Sequence, residues 1–135
     1  MKNEEKCHCG SDKSFENCCE LFIKGTAKPL TAEALMRSRY SAYVIANIDY
    51  ILKTTHPKTR KIHDVETIAT WAKSSLWQKL EIVSTDKGKT KDSIGTVEFK
   101  AYFSDASSQS QIHHEVSNFV KELGKWFFLD GKIAD

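Results

Sequence analysis

Two periods divide the apolar positions of this chain, and the change from one to the other falls near Ser75. Before it the spacing is helical. Leu35, Met36, Arg39, Tyr40, Tyr43 and Ala46 recur every three or four residues, behind Thr31 as the N-cap. Asn47 and Asp49 interrupt the pattern, and Asp49 to His56 reads as a second, short helix stopped by Pro57. A basic loop follows over 58–62 (Lys58, Arg60, Lys61). Asp64 then caps a third helix, Val65 to Ser75, with Ile68, Trp71 and Ala72 on its apolar face. After Ser75 the period is two. Leu80 and Ile82 alternate with Lys79, Glu81 and Val83 over Trp77–Thr85. Val97, Phe99, Ala101 and Phe103 alternate with polar neighbours over Ile94–Phe103. Gln111–Lys121 and Lys125–Asp130 complete the set, joined by a tight turn at Glu122-Leu123-Gly124. Three helices followed by a four-stranded antiparallel meander predict an α+β fold with the helices on one sheet face.

Length and charge narrow the class. The chain has 135 residues, 20 basic and 18 acidic, for a net charge of +2. That is one domain with at most a small appendage. A protein that binds nucleic acid by neutralising phosphates would show a stronger basic bias. Met1 to Lys6 is polar, no apolar signal segment follows, and no stretch is long enough to span a membrane, so a cytoplasmic location is expected.

All four cysteines fall in the first nineteen residues, as Cys7, Cys9, Cys18 and Cys19. Pairing within Cys7/Cys9 or Cys18/Cys19 would close strained rings, and a redox C-x-x-C pair is absent. Four thiolates can instead surround structural zinc at about 2.3 Å. The loop between the pairs suits that reading. Gly10 can take positive φ and aim its amide at a sulfur, Ser11 and Asp12 are turn formers, and Lys6 and Lys13 offset the negative charge. Phe15 supplies an apolar anchor. With every position filled by protein, no coordination site is left for a substrate. His8 reads as a bystander able to replace one cysteine; redox-active and idle thiols are the alternatives.

The run Cys7-His8-Cys9-Gly10-Ser11-Asp12-Lys13-Ser14-Phe15-Glu16-Asn17-Cys18-Cys19 resembles the SEC-C motif, the zinc-binding tail of the SecA translocation ATPase, with Asp12 in place of the usual glycine. Beyond it, Leu35-Met36-Arg37-Ser38-Arg39-Tyr40-Ser41-Ala42-Tyr43, Thr55-His56-Pro57, His114-Glu115 and Gly124-Lys125-Trp126-Phe127-Phe128-Leu129-Asp130-Gly131 resemble the YchJ family over essentially the whole length. That resemblance implies a knuckle over 1–24, a connector over 25–30, and a cone-shaped nuclear-transport-factor-2-like (cystatin-like) domain over 31–135. Its three helices would pack on a curved antiparallel sheet.

Cones of this kind often enclose a pocket. The candidates to line one are Arg39, Tyr40, Tyr43, His56, Trp71, Phe99, His114 and Glu115. On a strand, His113 and Glu115 share one face and His114 takes the other. Arg37 and Arg39 point about 200° apart on their helix, so they cannot both line one site. No nucleophile elbow, phosphate loop or dinucleotide fingerprint is present.

Three functions compete. The first is a zinc-containing binding or adaptor protein whose knuckle presents Ser11, Lys13 and Phe15 to a protein partner; the SecA likeness implies a chaperone or ribosome-associated partner, in translation or protein export. The second is a small-molecule enzyme using the cone pocket. The third is an RNA- or ribosome-binding protein using the knuckle with Lys58, Arg60 and Lys61.

Overall fold

The strongest alternation in the sequence becomes an inner strand of the sheet. A computed structural model describes residues 6–134; residues 1–5 of the expected knuckle and Asp135 lie outside it. In β2 (Ile94–Ser104), Gly95, Val97, Phe99, Ala101 and Phe103 are buried while the residues between them are partly exposed. It pairs antiparallel with β1 (Leu76–Lys87) and β3 (Ser110–Glu122), and β3 pairs with β4 (Lys125–Ile133). The order β1-β2-β3-β4 is the expected meander. Register shifts at Trp77/Lys79 and Ile82/Ser84, with the extra residues in β1, and opposite Asn118/Phe119, with the extra residue Leu129 in β4, bend and twist the sheet, as bulges do. The helices lie against its inner face, which gives the expected α+β fold.

The helices differ from expectation at their ends. A short α1 (Cys19–Ile23) closes the cysteine segment. The main helix, α2, spans Ala32–Val44, and the Thr31 side chain caps it by accepting the Ala34 amide at 3.0 Å. It stops before Ala46, which does not join the helical face. Ala46 takes a left-handed φ of 57°, and the amides of Ala46 and Asn47 return to the Tyr43 and Ala42 carbonyls at 3.1 and 2.8 Å. That double return is a Schellman ending.

Asn47 caps α3 (Ile48–Lys53), which ends well short of His56. The chain leaves the helix there because Thr55 forms a parallel bridge with Phe128, fixed by Phe128 N to Thr54 O and His56 N to Phe128 O, both 2.8 Å. Residues 57–60 are not a plain loop. Pro57 opens a turn of helix, α4 (Pro57–Arg60), where its missing amide costs nothing. Asp64 caps α5 (Val65–Ser74) through the Thr67 amide.

One apolar cluster joins α2 (Ala32, Leu35, Met36, Tyr40) to the inner sheet face (Leu80, Val97, Phe99, Ala101, Phe119, Trp126, Phe128). Cys7, Cys9 and Cys19 belong to the same cluster. The knuckle is therefore packed into the body's core rather than hung beside it. A smaller cluster of Ala42, Tyr50, Ile51 and Ile68 fills the space among α2, α3 and α5.

The start of α2 is tied to the β1–β2 turn, where Ala32 N donates to Gly88 O at 2.9 Å. Gly88 (φ +78°) and Gly95 meet there so closely that a Cβ on Gly95 would stand 2.4 Å from Gly88 Cα. Backbone on both sides leaves little room to relax. We predict that Gly95→Ala lowers unfolding stability by about 1–3 kcal/mol, read as a lower urea midpoint. Gly25→Ala, which meets open space but must adopt φ +84°, should cost only about 1 kcal/mol.

Candidate functional site

The cysteine segment folds around its own sulfurs. Cys7 N donates to Lys13 O at 2.7 Å, closing the loop. Two residues inside it take left-handed conformations, Gly10 at φ 85° and Asp12 at φ 72°. Gly10 thus has the positive φ expected, but its amide donates to Cys7 O at 3.2 Å rather than to a sulfur. A turn of 3₁₀ helix over Phe15–Asn17 then delivers Cys18 and Cys19.

The four Sγ atoms lie within 4.8 Å of one another, and Cys9 and Cys18 are 3.7 Å apart. Corners of a tetrahedron with 2.3 Å bonds are roughly 3.8 Å apart, so the donor set fits one metal ion at its centre. Cys7, Cys9 and Cys19 are buried and Cys18 partly so. Hydroxyls support two sulfurs from outside the cluster: Ser11 Oγ is 3.1 Å from Cys18 Sγ, and Ser41 Oγ is 3.6 Å from Cys7 Sγ. Hydrogen bonding with Cys19, then with Cys9, holds the Cys7 thiol below its ordinary pKa, and the same bond to Cys7 pushes Cys19 up.

Arg37 ties the knuckle to α2. Its Nη1 donates to Cys9 O at 2.6 Å while its Nε holds Glu33 at 2.9 Å. Lys6 faces Asp12 at 3.5 Å. Of the residues expected to meet a partner, Lys13 is exposed, whereas Ser11 turns toward Cys18 and Phe15 packs on the core and against His8, ring centroids 5.3 Å apart.

On the other side of α2 the cone encloses a cavity of about 310 Å³. Arg39, Tyr40, Tyr43, Trp71, Phe99 and Glu115 all line it. Two expected residues do not. His114 projects from the opposite sheet face, where its Nε2 is 2.6 Å from Glu98 Oε2 on the neighbouring strand. Its place in the cavity is taken by His113, which shares the inward face with Glu115 and Ser117. His56 is buried beside β4 and serves as the N-cap of α4: Nδ1 accepts the Lys58 amide at 3.1 Å and the ring meets Phe127 edge-on. It binds no helix-terminal carbonyl, because the helix before it has already ended. Its Nε2 stands 2.9 Å from Glu122 Oε2, outside hydrogen-bonding geometry.

At the polar end of the cavity, His113 Nε2 lies 2.6 Å from Glu115 Oε1, and Ser117 donates to Glu115 Oε2 at 2.6 Å. Burial would raise the Glu115 pKa, but the His113 and Ser117 hydrogen bonds and the charges of His113 and Arg39 outweigh it and hold the carboxyl below its ordinary value. Gly131 leaves the space, since a Cβ there would collide with the Glu115 carboxylate. Sequence reasoning missed Ser117 and Thr55; Ser117 was findable, as the third residue of the period-two face through His113 and Glu115.

A cone-shaped, nuclear-transport-factor-2-like α+β domain with a four-cysteine SEC-C knuckle built into its core is thus the class of protein that fold and site define. Residues 31–131 match the family description "YchJ, middle NTF2-like domain". A UPF0225 protein of Geobacter sulfurreducens is 46% identical over 125 residues, covering 93% of this chain and 77% of that protein. The solution structure of a SEC-C motif containing protein from Rhodopseudomonas palustris superimposes with TM-score 0.87 at 39% identity, over 96% of this chain and 98% of that one. A crystal structure of a SEC-C motif containing protein from Psychrobacter arcticus gives 0.79 at 34%, over 96% and 82%. The chain belongs to the YchJ-like UPF0225 family.

The depressed Glu115 pKa carries a pH signature. A carboxyl with a lowered folded-state pKa contributes stability above its unfolded pKa, near 4.5, and loses it as pH falls through the folded value. Glu115→Gln should therefore cost about 1–3 kcal/mol at neutral pH. In urea titrations at a series of pH values, its deficit against wild type should shrink steadily below pH ~4; a deficit unchanged with pH would mean that the charge is not what matters.

Proposed function

We propose that this is a zinc-containing binding protein: zinc is structural, and the knuckle is a recognition surface for a protein partner in translation or protein export. The supporting observation is the closed set of four sulfurs, enclosed on the core side and backed by Ser11 and Ser41. A four-cysteine site leaves no open coordination position for substrate, which favours a structural role. Zinc bound there would hold the loop over 10–17 rigid, and a rigid loop loses little conformational freedom on docking. The side chains it offers outward are Asp12, Lys13, Glu16 and Asn17. The partner class rests on the likeness of residues 7–19 to the SecA tail. A cytoplasmic location goes with that reading; among the described residues no helix is long and apolar enough to cross a membrane.

A second reading, a ligand site or enzyme in the cone, is favoured by the convergence of Arg39, His113, Glu115 and Ser117 on one cavity. The RNA-binding reading loses part of its basis, since Arg60 turns its guanidinium onto the Thr55 carbonyl (Nε 3.1 Å, Nη2 2.8 Å), leaving Lys58 and Lys61 exposed.

Metal analysis of the full chain should give about one zinc per molecule. The zinc-loaded wild type should capture ribosomal or export components from cell extract, and a zinc-loaded Lys13→Glu variant should retain the metal but lose those partners. A metal-free wild type would overturn the zinc assignment, and equal capture by the variant would overturn the knuckle loop as the docking surface.

A further inference from the structure

The cavity holds a cation that touches no carboxylate. Arg39 is only 7% exposed, yet among the described residues no carboxylate lies within 4 Å of its guanidinium. One nitrogen anchors it: Nη1 donates to Ile51 O (2.9 Å), Thr54 Oγ1 (2.8 Å) and Thr55 Oγ1 (3.2 Å), all neutral acceptors. The flat face of the group lies over the Phe128 ring, 4.5 Å from its centroid. Nε and Nη2 have no acceptor among the described residues. Neither is sealed in protein, because the only enclosed side-chain nitrogen or oxygen left unpaired there is His56 Nε2. The two nitrogens therefore keep some exposed surface, and Arg39 lines the cavity.

Glu115 acts on this charge only from a distance, its oxygens held by His113 and Ser117 rather than by the guanidinium. A desolvated guanidinium held by neutral groups is costly, and a bidentate anion is what its remaining fork fits. Away from its polar end, the cavity wall is largely aromatic. Trp71 packs edge-on against Tyr43 and Trp77, ring centroids 5.2 and 5.3 Å apart, and Tyr40 lies at 5.9 Å from Trp77. A volume of about 310 Å³ is at the small end of ligand sites, suited to a single ring. The Glu115 charge in the same space selects against a dianion such as a phosphate ester.

Taking the second reading, that the cone is a ligand site, we infer that it binds a small aromatic monocarboxylate. The carboxylate sits on Arg39 Nε and Nη2, and the ring lies among Tyr43, Trp71 and Trp77. Neutral analogues of the same shape lose the ion pair while keeping the aromatic contacts.

The test is titration of the zinc-loaded full chain with benzoate, benzamide and phenyl phosphate, followed by NMR at the Trp71 and Trp77 indole N–H groups. Benzoate should bind at least about tenfold more tightly than either of the others, a loss of charge-assisted pairing worth roughly 1.4 kcal/mol or more. Arg39→Met should abolish that preference. Because that variant removes a buried anchor and can fail to fold, the wild-type comparison of benzoate with benzamide decides the matter by itself. Equal binding of the two, or tighter binding of phenyl phosphate, overturns the monocarboxylate assignment while leaving the cone a ligand site. No indole shift with any probe up to about 10 mM overturns both.

Discussion

Helix α2 is enclosed on nearly every side, and its polar residues are what make that possible. From Ser38 to Ala42 five consecutive residues are buried, which at 100° per residue covers the whole circumference. Burying hydroxyls and a guanidinium is unfavourable unless each finds a partner. The two serines and the guanidinium do, in different directions. Arg37 reaches the Cys9 carbonyl, Ser38 meets the Tyr50 hydroxyl at 2.7 Å, Arg39 bonds Ile51, Thr54 and Thr55, and Ser41 stands behind the Cys7 sulfur. Knuckle and α3 are thereby both fixed to one rod, whose apolar residues pack on the sheet.

This arrangement joins the cysteine cluster to the cone. Cys7, Cys9 and Cys19 pack in the same core as Leu35, Tyr40 and the sheet, so the knuckle has no boundary of its own on that side. Ser41 touches the cluster one residue after Tyr40 and two after Arg39, both of which line the cavity. A metal that fixes the four sulfurs would also fix the helix whose other faces shape the cavity wall. In the proposed reading the donor set would supply rigidity and the cavity room for a ligand.

The parts legible in the sequence were those set by local rules. Period-two alternation located β2 because an inner strand with one face on the core must alternate, and Thr31 and Asp64 announced their helices because an orphan amide needs an acceptor nearby. The cysteine spacing likewise showed a cluster, since all four ligands lie within one short loop. What stayed hidden depends on contacts distant in sequence. The early end of α3 follows from the Thr55–Phe128 bridge, and the role of His56 follows from that end. Period two puts His113 and Glu115 on one face of β3 and His114 on the other, so only one of His114 and Glu115 can line the cavity; which one depends on how the sheet curves, and it is Glu115. Nor does any local signal tell that Arg39 would be buried or that Arg37 would hold the knuckle.

The central claim is that the cysteine cluster is part of the body's core through α2. Hydrogen exchange of the amides from Leu35 to Tyr43, measured on the full chain with zinc and after its removal by a chelator, tests it most directly. Protection should fall along α2 as well as in the knuckle when the metal is taken away. Protection lost only in residues 7–19, with α2 unchanged, would contradict it.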